Sequence, residues 1–360
     1  MLNINVEPVA EKDLKPLYTD AGQLVFGKTF TDRMFTMKYN TENQWHDAKI
    51  ESYKHFSMDP AACVLHYSQE IFEGLKAYVA EDGRVLLFRP EQNARRMNRS
   101  AKRLCMPEIP EEDFLQALKE LVNLEKRWIP REPGTSLYIR PTMVGNEAFL
   151  GVHSSREYIF YIILSPVGPY FKAGFNTISI YVEDKLVRAS VGGVGDIKTG
   201  GNYAAQLLGQ LNAEKNGFSQ ALWLDSKEHK YIEEVGAMNM FFVFGDTLVT
   251  PPLTGSILPG VTRASVIELA KDMGYGVEER LISVDEVKEA AASGKITEMF
   301  GSGTAAVIAP VGALNYKGEN YVVNNNQVGE VTKKLYNRLL NIQYGKEEDK
   351  FGWVVEIGRI

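Results

Sequence analysis

The middle of the chain carries the stretch GGVGDIKTGGNY at residues 192–203. Five glycines surround a single lysine, Lys198, in a segment too short to be a flexible linker. Glycine adopts positive φ angles and lets the backbone approach a ligand closely, so these residues predict a binding site with Lys198 at its centre. Such a lysine is either a counter-ion for an anion or an amine that forms a Schiff base. The stretch alone leaves both interpretations open.

Two further segments predict a site for a phosphate group. The loop FGSGTA at residues 300–305 offers backbone N–H groups and a hydroxyl to an anion. A helix is expected from Val261 to Met273, because Pro-Gly precedes it and a glycine follows it. The unpaired N–H groups and the dipole at its start, Val261–Thr262, favour negative charge.

An acid lies at the edge of an apolar stretch in EEVGAMN, residues 233–239. A carboxylate in that position need not be solvated, so it is available to tune the ring of a cofactor. Pyridoxal phosphate requires an amine for C4′, a carboxylate for the pyridine nitrogen and donors for the phosphate. The three kinds of segment together predict this cofactor.

A run of basic residues lies in a stretch that should be helical and contains no acid: Arg95, Arg96, Arg99, Lys102 and Arg103. A run of this kind is usually a solvated helix face. One arginine turned inward would nevertheless suit a small phosphate, because its planar fork donates two parallel hydrogen bonds. The run itself does not decide between the two.

Length and composition predict two folded domains and a small-molecule partner. The chain has 360 residues, against about 150 for a typical domain. Hydrophobic residues make up 44% and charged residues 24%, as in ordinary globular proteins. The formal net charge of −6 provides no field for a polyanion, which argues against nucleic-acid binding.

The cysteines, the histidines and the apolar runs of the sequence argue against a metal site, a membrane-spanning segment and secretion. Cys63 and Cys105 are far apart and predict neither a disulfide framework nor a zinc ribbon, which fits a cytoplasmic protein. The five histidines lack the close spacing of metal ligands. The first 17 residues lack the apolar core of a signal peptide. The most apolar run, Tyr158–Leu164, is far shorter than the roughly 20 residues that span a bilayer.

Short strands and amphipathic helices alternate along the chain, which predicts a mixed α/β protein. Expected strands include residues 84–88, 158–164 and 177–182, and expected helices include 114–128, 203–216, 261–273 and 329–343. Two prolines and two glycines within residues 166–174 are typical of a linker. We therefore expect two α/β domains that meet near residue 170, with a site between them.

A different class of function is raised by GQLVFGKT at residues 22–29, which matches the P-loop pattern GxxxxGK[ST]. A P-loop requires a buried strand before the motif and a helix after it. Here no apolar strand precedes Gly22, and residues 30–39 have strand-like character. We interpret the segment as a turn and a strand, and we keep a P-loop NTPase as the alternative hypothesis.

Taken together, the motifs resemble those of the branched-chain amino acid aminotransferases. The likeness rests on GDIKTGGNY (195–203), EVGAMN (234–239), LPGV (258–261) and FGSGTA (300–305). It continues through LVFGKTF (24–30), HYS (66–68), FEGLKA (72–77), FRP (88–90) and YIRP (138–141), so it covers nearly the whole chain. D-amino-acid transaminases and aminodeoxychorismate lyases share the fold type but match these motifs less well.

The resemblance implies a two-domain pyridoxal 5′-phosphate enzyme of the fourth fold type, with its active site between the domains. A small N-terminal α/β domain would cover residues 1–169, a linker 170–180, and a larger C-terminal domain 181–360 carrying the cofactor lysine. The implied reaction exchanges the amino group of leucine, isoleucine or valine with 2-oxoglutarate. The implied assembly is a homodimer without a metal.

The family's cofactor residues map onto this chain one by one. Lys198 is expected to form the Schiff base and to move the proton between Cα and C4′. Glu234 is expected to pair with the pyridine nitrogen, and Tyr203 to hydrogen-bond the ring oxygen. The resemblance assigns the phosphate to the following residues: Arg96, Thr304, and the backbone of Gly260, Val261 and Thr262.

The family's substrate pocket maps onto an aromatic group with one cation near the entrance. The expected residues are Phe26, Tyr67, Phe72, Tyr138, Tyr170 and Arg140. The substrate carboxylate is expected at the Ala305 amide. Ala237 stands where the mammalian branch has threonine, so it can offer its backbone alone. The resemblance implies that the loop 145–152, with Leu150 and Val152, reaches the active site of a second subunit. These two apolar side chains would otherwise be poorly hidden.

Overall fold

A computed structural model of the protein describes residues 1–170 and 174–360. Residues 171–173 of the predicted linker lie outside this part. The described strands are β1 (Asn5–Val6), β2 (Arg33–Asn40), β3 (Gln44–Ser52), β4 (Glu70–Phe72), β5 (Leu75–Val79), β6 (Arg84–Phe88), β7 (Ser136–Gly145), β8 (Glu157–Val167), β9 (Ile178–Glu183), β10 (Gln220–Leu224), β11 (Ile232–Val235), β12 (Met238–Phe244), β13 (Thr247–Thr250), β14 (Gly276–Glu279), β15 (Glu298–Gly303), β16 (Val307–Tyr316), β17 (Glu319–Val322) and β18 (Val354–Arg359).

The α-helices of the same part are α1 (Cys63–Tyr67), α2 (Pro90–Arg103), α3 (Glu111–Leu124), α4 (Gly200–Ala204), α5 (Leu207–Lys215), α6 (Val261–Asp272), α7 (Val284–Ala292) and α8 (Glu330–Gln343). Short 3₁₀ turns occupy Glu11–Asp13, Ala21–Gln23, Lys126–Trp128 and Asn324–Asn326. Helices and strands alternate as the sequence predicts, and the mixed α/β class is confirmed.

The first compact unit comprises residues 1–170, 198–200 and 341–360. Its sheet has the order β1-β3-β2-β8-β7-β5-β6-β18, with β4 also paired to β7. Side chains alternate between the two faces of a strand. Leu137 and Ile139 of β7 therefore enter a core that includes Met97 of α2 and Leu118 of α3. Tyr138 lies on the opposite face of the same sheet.

Among the described residues, the second compact unit comprises 174–197 and 201–340. Its sheet has the order β11-β10-β9-β16-β15-β12-β13-β14, and β17 pairs with β16. An additional pairing of β11 with β12 joins the two ends of a six-strand path, so these strands form a closed barrel. A core of apolar residues from several of these strands, among them Val182, Val235, Met240 and Val311, supports it.

The units differ from the predicted domains in where the chain returns to the first unit. The resemblance implies one C-terminal domain over residues 181–360. In the structure residues 341–360 cluster with the first unit, because β18 pairs antiparallel with β6. Residues 198–200 also cluster there, because Thr199 bridges Ile71 of β4. The first unit is consequently the longer of the two, and the last residues of the predicted linker belong to β9.

Several predicted elements have different ends. The helix predicted over residues 203–216 is divided into α4 and α5. The helix predicted over 114–128 is α3, followed by the 3₁₀ turn Lys126–Trp128. Residues 22–29 show no P-loop. Gly22 lies in a 3₁₀ turn capped by Asp20, and the chain continues into β2, so the turn-and-strand interpretation is confirmed.

Candidate active site

Lys198 is fixed by backbone contacts within the first unit. Its carbonyl oxygen accepts a hydrogen bond from the Phe72 N–H at 3.0 Å. Its own N–H donates to Ser100 Oγ, on α2, at 3.1 Å. Because both the backbone donor and the backbone acceptor of Lys198 are used, the origin of its side chain is held between β4 and α2.

The two residues after Lys198 attach the chain to Glu70. Thr199 Oγ1 donates to the Glu70 carbonyl oxygen at 2.7 Å, and the Gly200 N–H donates to Glu70 Oε2 at 2.8 Å. A Cβ on Gly200 would lie 2.5 Å from the same carboxylate oxygen, so a larger residue would force the Glu70 carboxylate to shift. One glycine of the motif is therefore explained by packing against Glu70.

The surroundings of Lys198 lower the pKa of its amine and so favour the neutral form. Burial and, to a smaller extent, the positive charge of Arg96 lower its pKa to about 8, against the opposing charge of Glu73. The Nζ atom lies 4.7 Å from the centre of the Phe72 ring. A neutral amine is the nucleophilic form of lysine, so a larger fraction of Lys198 than of an ordinary lysine is reactive near neutral pH.

Arg96 is the inward-facing arginine of the basic run. It is buried on α2, whereas Arg95, Arg99, Lys102 and Arg103 are exposed. Its Nε and Nη2 atoms each donate to a different oxygen of Glu73 at 2.7 Å. Glu73 also accepts from Asn93 Nδ2 at 2.7 Å. Burial alone would raise the pKa of the Glu73 carboxyl, but the charge and hydrogen bonds of Arg96 hold it below its usual value.

The substrate-side residues Phe26, Phe72, Tyr138 and Arg140 form one group in the first unit. The rings of Phe26 and Tyr138 lie 4.7 Å apart, centre to centre. Arg140 Nη2 donates to the Tyr138 hydroxyl at 3.0 Å, and the guanidinium carbon of Arg140 lies 4.7 Å from the Phe72 ring centre. A Cβ on Gly74 would lie 2.1 Å from the Tyr138 hydroxyl oxygen.

The other expected substrate residues of the first unit are more exposed. The Tyr67 hydroxyl donates to the Leu150 carbonyl oxygen. Leu150 and Val152 lie in the loop between β7 and β8 with 61% and 87% of their surface exposed. Tyr170, the last described residue before the gap, is half exposed. The structure thus connects Tyr67 with the loop 145–152.

Glu234 is a buried carboxylate of the second unit. Its Oε1 accepts hydrogen bonds from Asn239 Nδ2 at 3.0 Å and from the Leu258 N–H at 3.1 Å. Its Oε2 lies 2.9 Å from Arg188 Nε. This environment suits an ionised carboxylate, which is the form that would bind a protonated ring nitrogen.

Arg188 also secures the glycine-rich segment. Its Nη2 donates to the Gly195 carbonyl oxygen at 3.0 Å and to the Ser256 carbonyl oxygen. A Cβ on Gly195 would lie 2.4 Å from the Ser256 oxygen. The Asn202 amide closes the segment by donating to the Val194 and Ile197 oxygens at 2.7 and 2.9 Å.

The expected phosphate residues of the second unit lie at the start of α6 and the end of β15. The first turn of α6 carries no acidic side chain, and its N-cap, Gly260, makes no side-chain cap. Thr262 is buried, and Thr304 and Ala305 follow β15. The buried Ser302 Oγ has no hydrogen-bond partner within the described part of the chain. An uncapped helix start with a spare hydroxyl suits an anion.

Two expected residues of the second unit lie on surfaces or turns. Tyr203 is half-buried on α4. Ala237 is exposed in the two-residue turn between β11 and β12, where Gly236 has a φ of 53°. Because the side chain of Ala237 is a methyl group, only its backbone N–H and C=O can make hydrogen bonds.

Sequence reasoning did not identify the partners of the charged residues. Glu73 stands inside the motif FEGLKA, but nothing in its spacing indicates an ion pair with Arg96. Arg188 lies just outside the glycine-rich motif, and nothing in its sequence surroundings indicates a pairing with Glu234. A buried charge requires a partner, so each predicted charged site residue was a signal that such a partner exists.

The described residues contain neither a candidate metal cluster nor a candidate membrane-spanning helix. No group of three or more His, Cys, Asp or Glu residues in residues 1–170 and 174–360 is arranged to hold a metal ion. Within the same ranges, no helix has the length and apolar character needed to cross a membrane.

Comparison with known proteins defines the class. The family model for class IV amino-transferases matches residues 70–314. Branched-chain-amino-acid aminotransferase 2 of Bacillus subtilis (strain 168) is 53% identical over 357 residues, covering 99% of this chain and 98% of that protein. The Escherichia coli branched-chain amino acid aminotransferase structure has a TM-score of 0.76 and 28% identity, covering 91% of this chain and 99% of that one.

A further structure is the T.th. branched-chain amino acid aminotransferase complexed with N-(5′-phosphopyridoxyl)-L-glutamate. It has a TM-score of 0.73 and 25% identity, covering 89% of this chain and 98% of that one. The chain therefore belongs to the class IV aminotransferases and, within them, to the branched-chain amino acid aminotransferases. The resemblance inferred from the motifs is confirmed.

Proposed function

We propose that this enzyme transfers the amino group of L-leucine, L-isoleucine or L-valine to 2-oxoglutarate, giving branched-chain 2-oxo acids and L-glutamate. The proposed cofactor is pyridoxal 5′-phosphate. The observation that carries the proposal is Lys198, whose backbone is fixed by Phe72 and Ser100 and whose pKa is lowered to about 8. A lysine in this state is suited to bind an aldehyde cofactor covalently.

The residues of each unit fit the proposed cofactor by their chemistry. The amine is Lys198, the carboxylate for the ring nitrogen is Glu234, and the ring-oxygen donor is Tyr203. Arg96, the start of α6 at Gly260–Thr262 and Thr304 would hold the phosphate. When bound, the cofactor supplies an electron sink for the substrate Cα. Lys198 Nζ would take the proton from the substrate Cα and deliver it to C4′, because its lowered pKa makes both its neutral and its protonated form accessible near neutral pH.

Two kinds of substrate side chain are accommodated by the group around Tyr138. Phe26, Phe72 and Tyr138 provide apolar surface for a branched side chain, with each buried methylene contributing about 0.8 kcal/mol. A glutamate carboxylate in the same place requires a cation or hydroxyls. Arg140 Nε is buried and has no hydrogen-bond partner among the residues that the structure describes. We assign the side-chain carboxylate of glutamate to Arg140, and the α-carboxylate to the Ala305 amide.

The proposed assembly is a homodimer in the cytoplasm. Leu150 and Val152 are exposed apolar residues of a single chain, and covering them with a second copy would remove that surface from water. A Leu150→Asp variant is expected to sediment as a monomer, while Leu124→Asp, an exposed leucine at the end of α3, stays dimeric. Full activity of the natural protein as a monomer at every dilution would refute the dimer. Cys63 and Cys105 are both free thiols, which fits a reducing compartment.

The function is tested by incubating the purified protein with pyridoxal 5′-phosphate and then with borohydride. We expect a visible absorption band, fixation of the cofactor to Lys198, and amino transfer from each of the three amino acids to 2-oxoglutarate. A protein that fixes no cofactor at Lys198 would refute the proposed function.

A further inference from the structure

Two consecutive acids, Glu233 and Glu234, are buried on β11 and have different surroundings. Glu234 has partners for both oxygens, as described above. Glu233 is only 5% exposed, and its Oε1 accepts a hydrogen bond from the Ser256 hydroxyl. Its Oε2 has no hydrogen-bond partner in the part of the chain that the structure covers. Glu233 is therefore a buried acid with half of its carboxyl unsatisfied.

Ser256 and Arg188 connect the two acids. The Ser256 hydroxyl donates to Glu233, while the carbonyl oxygen of the same residue accepts from Arg188 Nη2. Arg188 Nε in turn lies 2.9 Å from Glu234 Oε2. A change of charge on Glu233 thus acts on the cation that neutralises Glu234.

The charged groups facing Glu233 come from three elements. They are Arg188 after β9, Glu234 on its own strand, and Asp225 after β10. Asp225 stays ionised because its carboxylate accepts four backbone hydrogen bonds, from residues 227, 228, 230 and 231. Burial raises the pKa of Glu233 to about 7, with Ser256 and Arg188 opposing the rise and the charges of Glu234 and Asp225 adding to it.

We propose that Glu233 is a positioning residue that controls the charge of Glu234 through Ser256 and Arg188. When Glu233 is protonated, Arg188 neutralises Glu234 alone. When Glu233 is ionised, it competes for Arg188, and Glu234 presents more negative charge to the ring nitrogen of the cofactor. The proposal rests on the proposed function, because it requires Glu234 to meet that nitrogen. Its consequence is a ring proton that is held more tightly above pH 7 than below it.

The test compares the natural enzyme, loaded with pyridoxal 5′-phosphate, with three variants. Glu233→Gln keeps the size and the acceptor for Ser256 but removes the charge. Glu228→Gln makes the same change of charge at an exposed position between β10 and β11 and serves as the control. Ser256→Ala removes the hydroxyl that favours the ionised form of Glu233. The readouts are the visible absorption band of the bound cofactor between pH 5 and 9, and the cofactor dissociation constant at pH 6 and pH 8.

The natural enzyme and Glu228→Gln are expected to show an inflection of the absorption band near pH 7. Glu233→Gln should lack it and bind cofactor more weakly at pH 8, by about tenfold or less, with no change at pH 6. In Ser256→Ala the inflection should move to higher pH. An inflection that persists unchanged in Glu233→Gln and Ser256→Ala would overturn the inference alone. An enzyme that fixes no cofactor at Lys198 would overturn the proposed function, and this inference with it.

Discussion

The guanidinium of Arg96 meets both carboxylate oxygens of Glu73 with two hydrogen bonds of 2.7 Å, and both side chains are buried. Replacing Glu73 by Gln leaves a buried arginine without its counter-charge. We expect a loss of about 3–5 kcal/mol in the free energy of unfolding, measured by urea denaturation. Glu111→Gln, which breaks the exposed pair of Arg95, should have little effect because solvent screens that pair. Equal small losses in both variants would show that the buried pair contributes no more than an exposed one.

The same Glu73→Gln variant should make Lys198 more acidic. Burial and Arg96 lower the pKa of Lys198, while Glu73 acts to raise it, so removing the Glu73 charge lowers the pKa below about 8. The pKa of Lys198 is measured in the cofactor-free protein with an amine-reactive reagent. The rate of modification of Lys198 is followed as a function of pH. A pH profile shifted toward higher pH would contradict the assignment.

Lys198→Ala should abolish turnover and covalent fixation of the cofactor while leaving non-covalent binding. Lys76 is the alternative lysine to test for covalent attachment of the cofactor, because burial lowers its pKa to about 8 as well. Borohydride fixation followed by peptide mapping distinguishes the two lysines. Modification of Lys76 in the natural protein would remove Lys198 from its assigned role.

Arg140→Met should separate the two half-reactions. The glutamate half-reaction loses a hydrogen bond to a charged group, about 1.5–3 kcal/mol, which corresponds to roughly ten- to 150-fold in rate. The leucine half-reaction keeps its apolar surface and should change much less. Single-turnover measurements with each amino acid test this, with Arg99→Met, an exposed position of α2, as the control. Equal losses in both half-reactions would make Arg140 a structural residue.

Gly74→Ala should disturb the Tyr138 hydroxyl, because the new Cβ would lie 2.1 Å from its oxygen. Tyr138 must move, and its hydrogen bond with Arg140 should be lost. We expect KM for the amino acid to rise more than kcat falls. If Gly74→Ala keeps the natural KM, Tyr138 does not line the substrate site.

Stability should depend on pH through Glu233. Its folded-state pKa is raised to about 7 from an ordinary value of 4.5. The folded protein therefore binds this proton more tightly, and the resulting stabilisation is present below pH 4.5 and lost as the pH rises through 7. The loss amounts to at most about 3 kcal/mol. Glu233→Gln should remove this part of the pH dependence in urea denaturation at pH 5 and 8. A difference between natural protein and variant that is the same at both values would refute it.

The sequence predicted the parts of the site that are local in the chain. The glycines around Lys198 and the start of α6 follow from spacing and composition, whereas the choice of Arg96 from the basic run follows from the resemblance to the family. The ion pairs of Arg96 with Glu73 and of Arg188 with Glu234 depend on tertiary packing, and no periodicity encodes them. The pairing of β18 with β6 and the closure of the barrel by β11 and β12 are likewise long-range contacts, which strand propensity cannot assign.

The pairing of β18 with β6 also sets an order of events during synthesis. The first unit has most of its strands by residue 170, but β6 gains its partner β18 only after the second unit has been translated. Until then β6 presents unpaired N–H and C=O groups along one side, a template for association with other nascent chains. Ribosome-bound chains shortened before Val354 therefore expose the strand edge on which a chaperone would act.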